Sequence, residues 1–428
     1  LLEFIDVVGD AAAGAAHGEA RADHAGQADL ALDAFDVDLV RDQRARRGYA
    51  VEPEGLALED LVRAAHDRLR VVEGDLHRSS PKRRLAGVEY QTIHVGNARL
   101  MHTRFHGWYS AWLSSRSPAR AATIPSLLEG FAPDAVLTVA HGHLWVTAAE
   151  FAERHRLPLH FIVHDDWPRV ARVPRLFTDR IDGQFGHVYR CASSRLCVSP
   201  FMAEEYRRRY GALGRVLYPS RGKDARPFDG PSERLREQGR GIVCVFAGTI
   251  NTPDYVRLLR TLAACLEQHQ GRLLIFGPLT ADQATRDGLD KPNIELRGLL
   301  DSNDLIGRLR AEADVLFVPM SFAATDRPNM EISFPSKLTD YTAVGLPLLI
   351  VGPPYCAAAR WACENPGVAE LVDTDDMGAL GAAIQHLTDS PEHRVRLATA
   401  AVSVGGRCFS HASAQEQLFE ALRQPWAA

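Results

Sequence analysis

The sequence predicts an α/β protein with two Rossmann-like domains that contain parallel sheets. Three observations support this class. From Ala135 onward, short apolar runs alternate with amphipathic segments, as they do in parallel sheets covered by helices. A polar connection over residues 219–240, rich in Arg, Gly and Pro, separates two such series. The length of 428 residues is enough for two domains with complete hydrophobic cores.

The pattern divides the chain into five segments. Residues 1–80 are rich in Ala, Asp, Arg and His and lack the alternation, so they are left unplaced, as a disordered or non-native extension. The other segments are an N-terminal Rossmann-like domain (81–218), a linker (219–240), a C-terminal Rossmann-like domain (241–405) and a C-terminal helix (406–428).

In the N-terminal domain, three apolar runs predict parallel strands. They cover residues 135–139, 157–163 and 195–198, with an amphipathic segment at 119–131 and helices at 146–156 and 201–210. Ser199 is a candidate cap for the last helix. Polar loops follow the first two strands, so their side chains are expected at the carboxyl edge of the sheet.

The C-terminal domain repeats the alternation. Strands are predicted at 241–246, 272–276, 294–297, 315–318, 348–351 and 368–372, and helices at 255–268, 304–311, 336–344, 377–387 and 414–422. The regular order predicts a doubly wound parallel sheet, whose ligands bind beyond the carboxyl ends of the strands.

Composition argues against several function classes. The 49 Lys and Arg against 54 Asp and Glu give a net charge of −5, which offers no reason to expect a nucleic-acid partner. The seven cysteines contain no C-x-x-C pair and are typical of reduced thiols. Since no apolar run can span a bilayer and no leader opens the chain, a cytoplasmic protein is expected, with peripheral contact at the inner membrane face as an option.

The segment from Pro335 to Val351 has features of a nucleotide diphosphate site. Ser336 suits a helix start, where backbone N–H groups and the helix dipole attract an anion, and Lys337 lies beside it. Asp340 follows one turn later, where its carboxylate can accept hydrogen bonds from ribose hydroxyls. Gly345 ends the helix before a buried strand. A capped surface helix is the alternative interpretation.

Two such domains, with this helix in the second, resemble the GT-B glycosyltransferases, and most closely the retaining family-four group. The resemblance covers the chain from about Ala135 to the C-terminus and depends on the order and spacing of several short motifs. These motifs are Arg195 to Met202, Phe246 to Thr249, Phe276-Gly277, Leu296 to Leu300, Ala313 to Pro319 and Pro335 to Pro347.

The resemblance implies donor-binding roles for several residues. Gly248 and Thr249 would touch the donor diphosphate, Gly277 would lie nearby, and the backbone at Leu299 would hold the base. The family usually places an arginine and a lysine just after this glycine, whereas the chain continues Thr249-Ile250-Asn251-Thr252. Neutralisation of the diphosphate is therefore expected from Lys337 and the helix dipole, with Arg221 and Arg327 as further options.

The family also has two glutamates separated by seven residues, the first on the donor sugar and the second on the ribose. Asp340 takes the second position. The first position falls at Ile332, and Glu331 is one residue out of register. Either the loop presents Glu331, or Ser333 and the following turn contact the sugar.

Histidines follow two strands of the N-terminal domain. His164, followed by Asp165, would line the reaction centre as the corresponding family histidine does, and His141 and His143 would lie on the acceptor side. A polar cap at the end of the strand is the alternative. No metal or other cofactor is expected, because nothing fixes a third ligand and the resembled fold rarely needs one.

Aromatic residues cluster between Phe105 and Leu113. Core packing is the favoured explanation for this cluster, and contact with a membrane surface or a sugar acceptor is the alternative.

The resemblance implies a glycosyltransferase that moves a hexosyl unit from a nucleotide diphosphate sugar to an acceptor hydroxyl, with retention, in a cleft between the two domains. The acceptor is a glycan, a lipid-linked sugar or a small molecule. A GT-B sugar-nucleotide epimerase and a catalytically degenerate nucleotide-sugar-binding protein are alternatives.

Overall fold

The computed structural model describes residues 3–8, 68–76, 88–171, 173–222, 225–299 and 302–425. Within them the chain forms two compact units. The first unit holds the described residues up to Tyr218 and those from Ala414 onward, and the second holds the described residues from Pro219 to Ser413. Each unit has its own sheet, in which every strand pairing is parallel. The predicted α/β class with two Rossmann-like domains is confirmed.

The sheet of the first unit has seven strands in the order β3-β2-β1-β4-β5-β6-β7. They are β1 (Glu3–Val8), β2 (Arg68–Gly74), β3 (Glu89–Ile93), β4 (Ala135–Val139), β5 (Leu159–Val163), β6 (Ser194–Cys197) and β7 (Arg215–Val216). Strands β1 and β2 lie within the stretch 1–80 that the sequence analysis left unplaced. They pair with each other, and β1 pairs with β4. The rest of that stretch, apart from the turn after β2, lies outside the described residues.

Eight helices accompany this sheet in the described chain before Tyr218. They are α1 (Ala98–Met101), α2 (His106–Ser115), α3 (Ser117–Ala121), α4 (Ile124–Leu127), α5 (Leu144–His155), α6 (Trp167–Val170), α7 (Arg175–Cys191) and α8 (Pro200–Tyr210). Ser199 caps α8 as predicted, since its hydroxyl accepts from the Met202 N–H. The segment 119–131 contains two short helices rather than one, because Pro125 lacks the N–H that a continuing α3 would need.

The sheet of the second unit has six strands in the order β10-β9-β8-β11-β12-β13. They are β8 (Val243–Ala247), β9 (Arg272–Phe276), β10 (Ile294–Gly298), β11 (Val315–Pro319), β12 (Leu348–Val351) and β13 (Ala369–Val372). Every residue of β8, β11 and β12 is buried, which explains their continuous apolar sequences. The strand order reverses between β8 and β11. Ligands of open parallel sheets bind at such a point, beyond the carboxyl ends of the strands.

The remaining helices complete the described chain, together with a 3₁₀ turn at Glu233–Arg236. They are α9 (Pro253–Gln268), α10 (Ala281–Arg286), α11 (Ser302–Glu312), α12 (Arg327–Met330), α13 (Lys337–Val344), α14 (Ala357–Glu364), α15 (Met377–Asp389), α16 (Pro391–Cys408) and α17 (His411–Leu422). The segment 406–428, predicted as one C-terminal helix, contains the end of α16 and all of α17. From Ala414 onward the chain belongs to the first unit.

The predicted linker packs on the second unit. The N–H of Phe228 donates to the Ala343 carbonyl at 2.9 Å, and the N–H of Ser232 donates to Gly345 at 2.9 Å. These bonds run along the end of α13. No helix in the described part of the chain has both the length and the apolar character needed to cross a membrane.

Candidate functional site

Three glycines lie side by side at the carboxyl ends of β8, β9 and β10. The Gly277 N–H donates to the Gly298 carbonyl at 3.0 Å, and the Gly248 N–H donates to the Phe276 carbonyl at 2.9 Å. A Cβ on Gly277 would lie 2.3 Å from the Gly248 carbonyl oxygen, so no larger residue fits there. Gly248 has φ +143°, a conformation that side chains disfavour. The three strand ends therefore carry no side chains, and the N–H groups of Gly248 and Gly277 are already bonded within the sheet.

Lys337, the first residue of α13, points toward this edge. Its Nζ lies 4.2 Å from the centroid of the Phe246 ring and 3.7 Å from where a Cβ on Gly248 would be. Burial lowers the pKa of Lys337 to about 7, and no acidic residue among those described forms an ion pair with it. A buried ammonium next to glycine backbone is suited to an anionic ligand.

The turn that starts α13 differs from the prediction in one detail. Ser336 precedes the helix as expected, but it has helical backbone angles and its hydroxyl makes no capping bond. The Leu338 N–H donates instead to the Pro335 carbonyl. Tyr341, which the sequence analysis did not select, fixes the helix against the sheet because its hydroxyl accepts from the Ala247 N–H at 2.7 Å.

Asp340 is 1% exposed and lies near Arg221. Arg221 donates to the Thr339 carbonyl and to the Thr342 hydroxyl, at 3.0 and 2.9 Å. Burial lowers the pKa of Arg221 to about 10, and the charge of Asp340 acts in the opposite direction. Arg221 thus holds α13 with two of its donors, and the option that it also neutralises a diphosphate stays a prediction.

In the first unit, the loops after β4 and β5 bring two of the predicted histidines together. The rings of His141 and His164 stack with centroids 5.7 Å apart and planes 15° from parallel. His164 Nε2 lies 3.5 Å from the Asp165 carboxylate. Ligand atoms of these three residues lie within 4.8 Å of one another, so a third metal ligand is within reach, contrary to the sequence argument. His143 lies outside the trio, just before α5.

A buried ionic network holds the loop that carries His164. Asp166 is fully buried and accepts two hydrogen bonds from Arg209 of α8, at 2.9 and 2.6 Å. Arg209 also donates to Glu205 at 2.7 Å. Burial disfavours the charged guanidinium, but these bonds outweigh it and raise the pKa of Arg209. The sequence analysis missed this network, because Asp166 and Arg209 lie 43 positions apart.

Comparison with known proteins identifies the fold. Residues 61–219 match the family model described as Glycosyltransferase Family 4. The structure is similar to Anabaena HepE in complex with UDP, with a TM-score of 0.60, 15% identity, and 98% of this chain and 99% of that chain covered. It is also similar to sucrose-phosphate synthase from Thermosynechococcus elongatus, with a TM-score of 0.60, 14% identity, and 99% and 98% covered. The chain has the GT-B fold. The predicted resemblance to family-four GT-B glycosyltransferases is therefore confirmed.

A further GT-B structure, of E. coli origin and described as bound with UDP-2-fluoro glucose, has a TM-score of 0.60 at 13% identity and covers 98% of this chain and 99% of that chain. No curated protein sequence matches this chain significantly.

In this GT-B chain, Glu331 lies at the end of α12 and forms an ion pair with Arg327 at 2.8 Å. Arg327 lies 4.5 Å from the Tyr355 ring and is largely exposed. Ile332, which occupies the family's register position, is 2% exposed. The contact of Glu331 with a donor sugar stays a prediction.

Two further donor-side predictions lie at strand ends of the GT-B sheet. Thr249 follows Gly248 after β8, and Leu299 follows β10 with 36% of its surface exposed. Asp254, which the sequence analysis did not select, connects the start of α9 to the loop after β11. Its carboxylate accepts from the Phe322 N–H at 2.7 Å and from the Ser321 hydroxyl at 3.1 Å. This contact shapes the edge at the switch point.

The aromatic cluster does not pack in the core as the favoured interpretation held. Phe105, Trp108 and Trp112, which we call the aromatic patch, are 57%, 53% and 51% exposed. Helix α2 turns Ala111 and Leu113 inward instead. The interpretation was wrong for these three side chains, because at helical spacing they share a face that points away from the buried Ala111 and Leu113.

Proposed function

We propose that this protein is a glycosyltransferase that moves a hexosyl unit from a nucleotide diphosphate sugar to an acceptor hydroxyl, with retention. One observation carries the proposal: the buried ammonium of Lys337 lies beside Gly248, at the point where the strand order of the second unit reverses. A diphosphate is negatively charged, so it can form the ion pair that Lys337 does not form with any described acidic residue.

The donor would be held by the second unit. Its diphosphate would lie along the Gly248 and Thr249 backbone, against Lys337 and the start of α13, where the helix dipole favours an anion. Gly277 lets the Gly248 carbonyl lie directly against it, which fixes the Gly248 backbone at this edge. Leu299 would pack on the base, Asp340 would accept from the ribose hydroxyls, and Glu331 would contact the sugar once its pair with Arg327 opens.

In the reaction, the acceptor oxygen forms a bond to the anomeric carbon while the bond from that carbon to the diphosphate oxygen breaks. The acceptor proton goes to the leaving diphosphate, and Lys337 with the α13 terminus stabilises the charge that the diphosphate gains. His164, oriented by Asp165, would donate a hydrogen bond to a sugar hydroxyl. The first unit would supply the acceptor side through His141 and His143.

The comparisons support the donor class. HepE is described in complex with UDP, with UDP and glucose, and with UDP-glucose, and we extend that donor type to this chain. Retention follows from the family resemblance. We also propose that the acceptor is a glycan, a lipid-linked sugar or a small molecule, that no metal takes part, and that the protein works in the cytoplasm.

The exposed aromatic patch favours an acceptor presented at a membrane, because Trp and Phe partition into the interfacial region and Arg104 lies 4.8 Å from the Phe105 ring. Cosedimentation with anionic vesicles tests whether the aromatic patch binds a membrane surface. Trp108→Ser with Trp112→Ser should reduce binding, whereas equal binding by the wild type and the double variant would contradict membrane contact.

A panel of nucleotide sugars, each supplied with candidate acceptors, tests the proposed reaction. Release of nucleoside diphosphate with formation of a glycosylated product is the expected result. A changed sugar without release would indicate the epimerase instead. Binding without either change would indicate the degenerate binding protein, for which the neutral sequence after Gly248 is the motivating observation. An α-linked product from an α-linked donor would establish retention.

A further inference from the structure

A second cluster of ligand-type side chains lies in the second unit on β13, α15 and α16, which contribute none of the donor-site residues. Glu370 is on β13, His386 is near the end of α15, and His393 is near the start of α16. Their ligand atoms all lie within 4.8 Å of one another. Glu370 Oε2 is 2.6 Å from His393 Nε2, and Glu370 Oε1 is 3.6 Å from His386 Nδ1.

The two imidazoles share one carboxylate and also stack on each other. Their ring centroids are 4.0 Å apart with planes 18° from parallel. His386 is 52% exposed, and its contacts are this ring stack and the approach to Glu370. Because imidazole lone pairs lie in the ring planes, the exposed ring of His386 must turn out of the stack before a cation can lie between the two ring nitrogens and the carboxylate.

The junction between α15 and α16 holds the two histidines in place. The Ser390 N–H donates to the His386 carbonyl at 3.1 Å, and the Ser390 hydroxyl accepts from the His393 N–H at 3.2 Å. Ser390 alone separates the helices, so the backbone positions of both ligands are fixed before any metal binds. Such preorganisation lowers the cost of assembling a site.

The hydrogen bonds of His393 define its tautomer. An Arg396 guanidinium nitrogen lies 3.1 Å from Nδ1 and can only donate, so Nδ1 accepts. Nε2 therefore carries the proton and donates to Glu370. To bind a metal through Nε2, His393 must move that proton to Nδ1 and lose the bond to Arg396, which is exposed and free to rotate away.

We propose that Glu370, His386 and His393 form a zinc-type site that stabilises the second unit. Two imidazoles and one carboxylate match the preferences of Zn²⁺, and the exposed side of His386 leaves a coordination position for water. Tetrahedral ligands at about 2.1 Å from zinc lie roughly 3.4 Å apart, close to the present spacings, and a turn of the exposed His386 ring out of the stack would direct its nitrogen to the same point. The metal would join one strand to two helices.

The test titrates metal-free full-length protein with Zn²⁺ by calorimetry and with Co²⁺ by visible absorption. The other trio, at His141, also could bind metal, so every variant is made in a His164→Ala background. His386→Gln should weaken zinc binding roughly a hundredfold or more and abolish the Co²⁺ band, because one of three protein ligands is lost. His269→Gln, a histidine of the same unit outside the cluster, should leave binding unchanged.

Arg396→Gln separates a metal site from a simple ion pair between Glu370 and the histidines, because only a metal site predicts a change in zinc affinity. Removing this guanidinium takes away both a repelling charge and the bond that keeps the proton on Nε2, so zinc should bind several-fold more tightly. Zinc should also raise the Tm of the background protein and leave that of His386→Gln unchanged. Zinc affinity that is equal in the background and in His386→Gln, or no zinc binding by the background protein, would overturn the proposal.

Discussion

Lys337 carries a positive charge on an ammonium that the protein shields from water, and this desolvation disfavours the charged form. Burial against Phe246 and Tyr255 lowers its pKa to about 7, so near that pH the free protein carries it about half charged. A bound diphosphate favours the charged form, and donor binding at higher pH must therefore take up a proton. We expect the affinity for UDP-glucose to fall as pH rises from about 7 to about 8.5, measured by calorimetry in two buffers of different ionisation enthalpy.

Lys337→Met is the variant that tests this expectation, and the pKa of Lys337 predicts the direction in which it changes the stability of the protein. Between a folded pKa of about 7 and the ordinary value of 10.5, the unfolded chain binds more protons than the folded one. The penalty for burying Lys337 is thus complete below pH 7 and shrinks above it. The variant should have a higher Tm than the wild type at pH 6, yet bind UDP-glucose far more weakly and without pH dependence. A pH dependence that persists in the variant would exclude Lys337 from the diphosphate site.

Asp340 is expected to select ribose. Its carboxylate is a stronger acceptor than an amide, so Asp340→Asn should lower donor affinity more for a ribose donor than for its 2′-deoxyribose analogue. The ratio of the two affinities is the useful measurement, since Asp340 also supports the charge of Arg221 and its loss can loosen α13. A general loosening of α13 would lower the affinity for both donors equally and leave the ratio of the two affinities unchanged.

For single residues, the sequence predicted positions in the fold better than it predicted which other residues each one contacts. Lys337 and Gly248 lie close together, in agreement with the helix start predicted at Lys337 and with the place that the family resemblance implied for Gly248. Arg221 was an option for the diphosphate because charge can be read from a sequence, whereas its burial and its bonds to α13 depend on packing of the chain after Pro219. Long-range contacts of this kind leave no local signal.

At the scale of single elements, the loop after β5 carries the riskiest assignment. His164 stacks on His141 and faces Asp165, while Asp166 fixes the loop through Arg209. His164→Ala should lower turnover roughly a hundredfold or more and leave UDP affinity, which we assign to the second unit, nearly intact. Steady-state kinetics and calorimetry on the same preparations measure the two effects.

Asp166→Asn is the control for that variant, because it weakens the support of the loop without touching His164 itself. It should lower the Tm as well as turnover, since the half-buried Arg209 would lose its fully buried charged partner. If His164→Ala also lowers the Tm and reduces UDP affinity, His164 is a structural cap and the reacting groups lie elsewhere, with His141 as the next candidate.

Elements with continuous apolar sequence were predicted well, and those with mixed sequence were missed. Strands β4, β8 and β12 are buried on both faces and therefore read as unbroken apolar runs. Helix α7 was not predicted, because Gly183 and Gly186 lower helix propensity. The structure gives a packing reason for Gly186, where a Cβ would lie 2.7 Å from the Tyr210 ring of α8.

For the molecule as a whole, the main feature is that the C-terminal end of the chain belongs to the first unit and not to the second. Residues 219–413 form the second unit, yet the described residues from Ala414 onward belong to the first. Glu420 of α17 forms an ion pair with Arg215 of β7 at 2.8 Å, and Leu418 is fully buried. The last helix therefore contributes to the stability of a unit whose other described residues all precede Pro219.

This arrangement predicts separable effects on the two units. Leu418→Asp places a charge in a buried apolar position and should destabilise the protein by about 3 kcal/mol or more, seen as a lower Tm in calorimetry. Binding of UDP-glucose, assigned to the second unit, should change little at temperatures below that transition. Glu420→Gln is the matched control on the same helix, because an exposed ion pair contributes at most about 1 kcal/mol and its loss should barely move the Tm. A parallel loss of UDP-glucose affinity in Leu418→Asp would show that α17 supports the second unit instead.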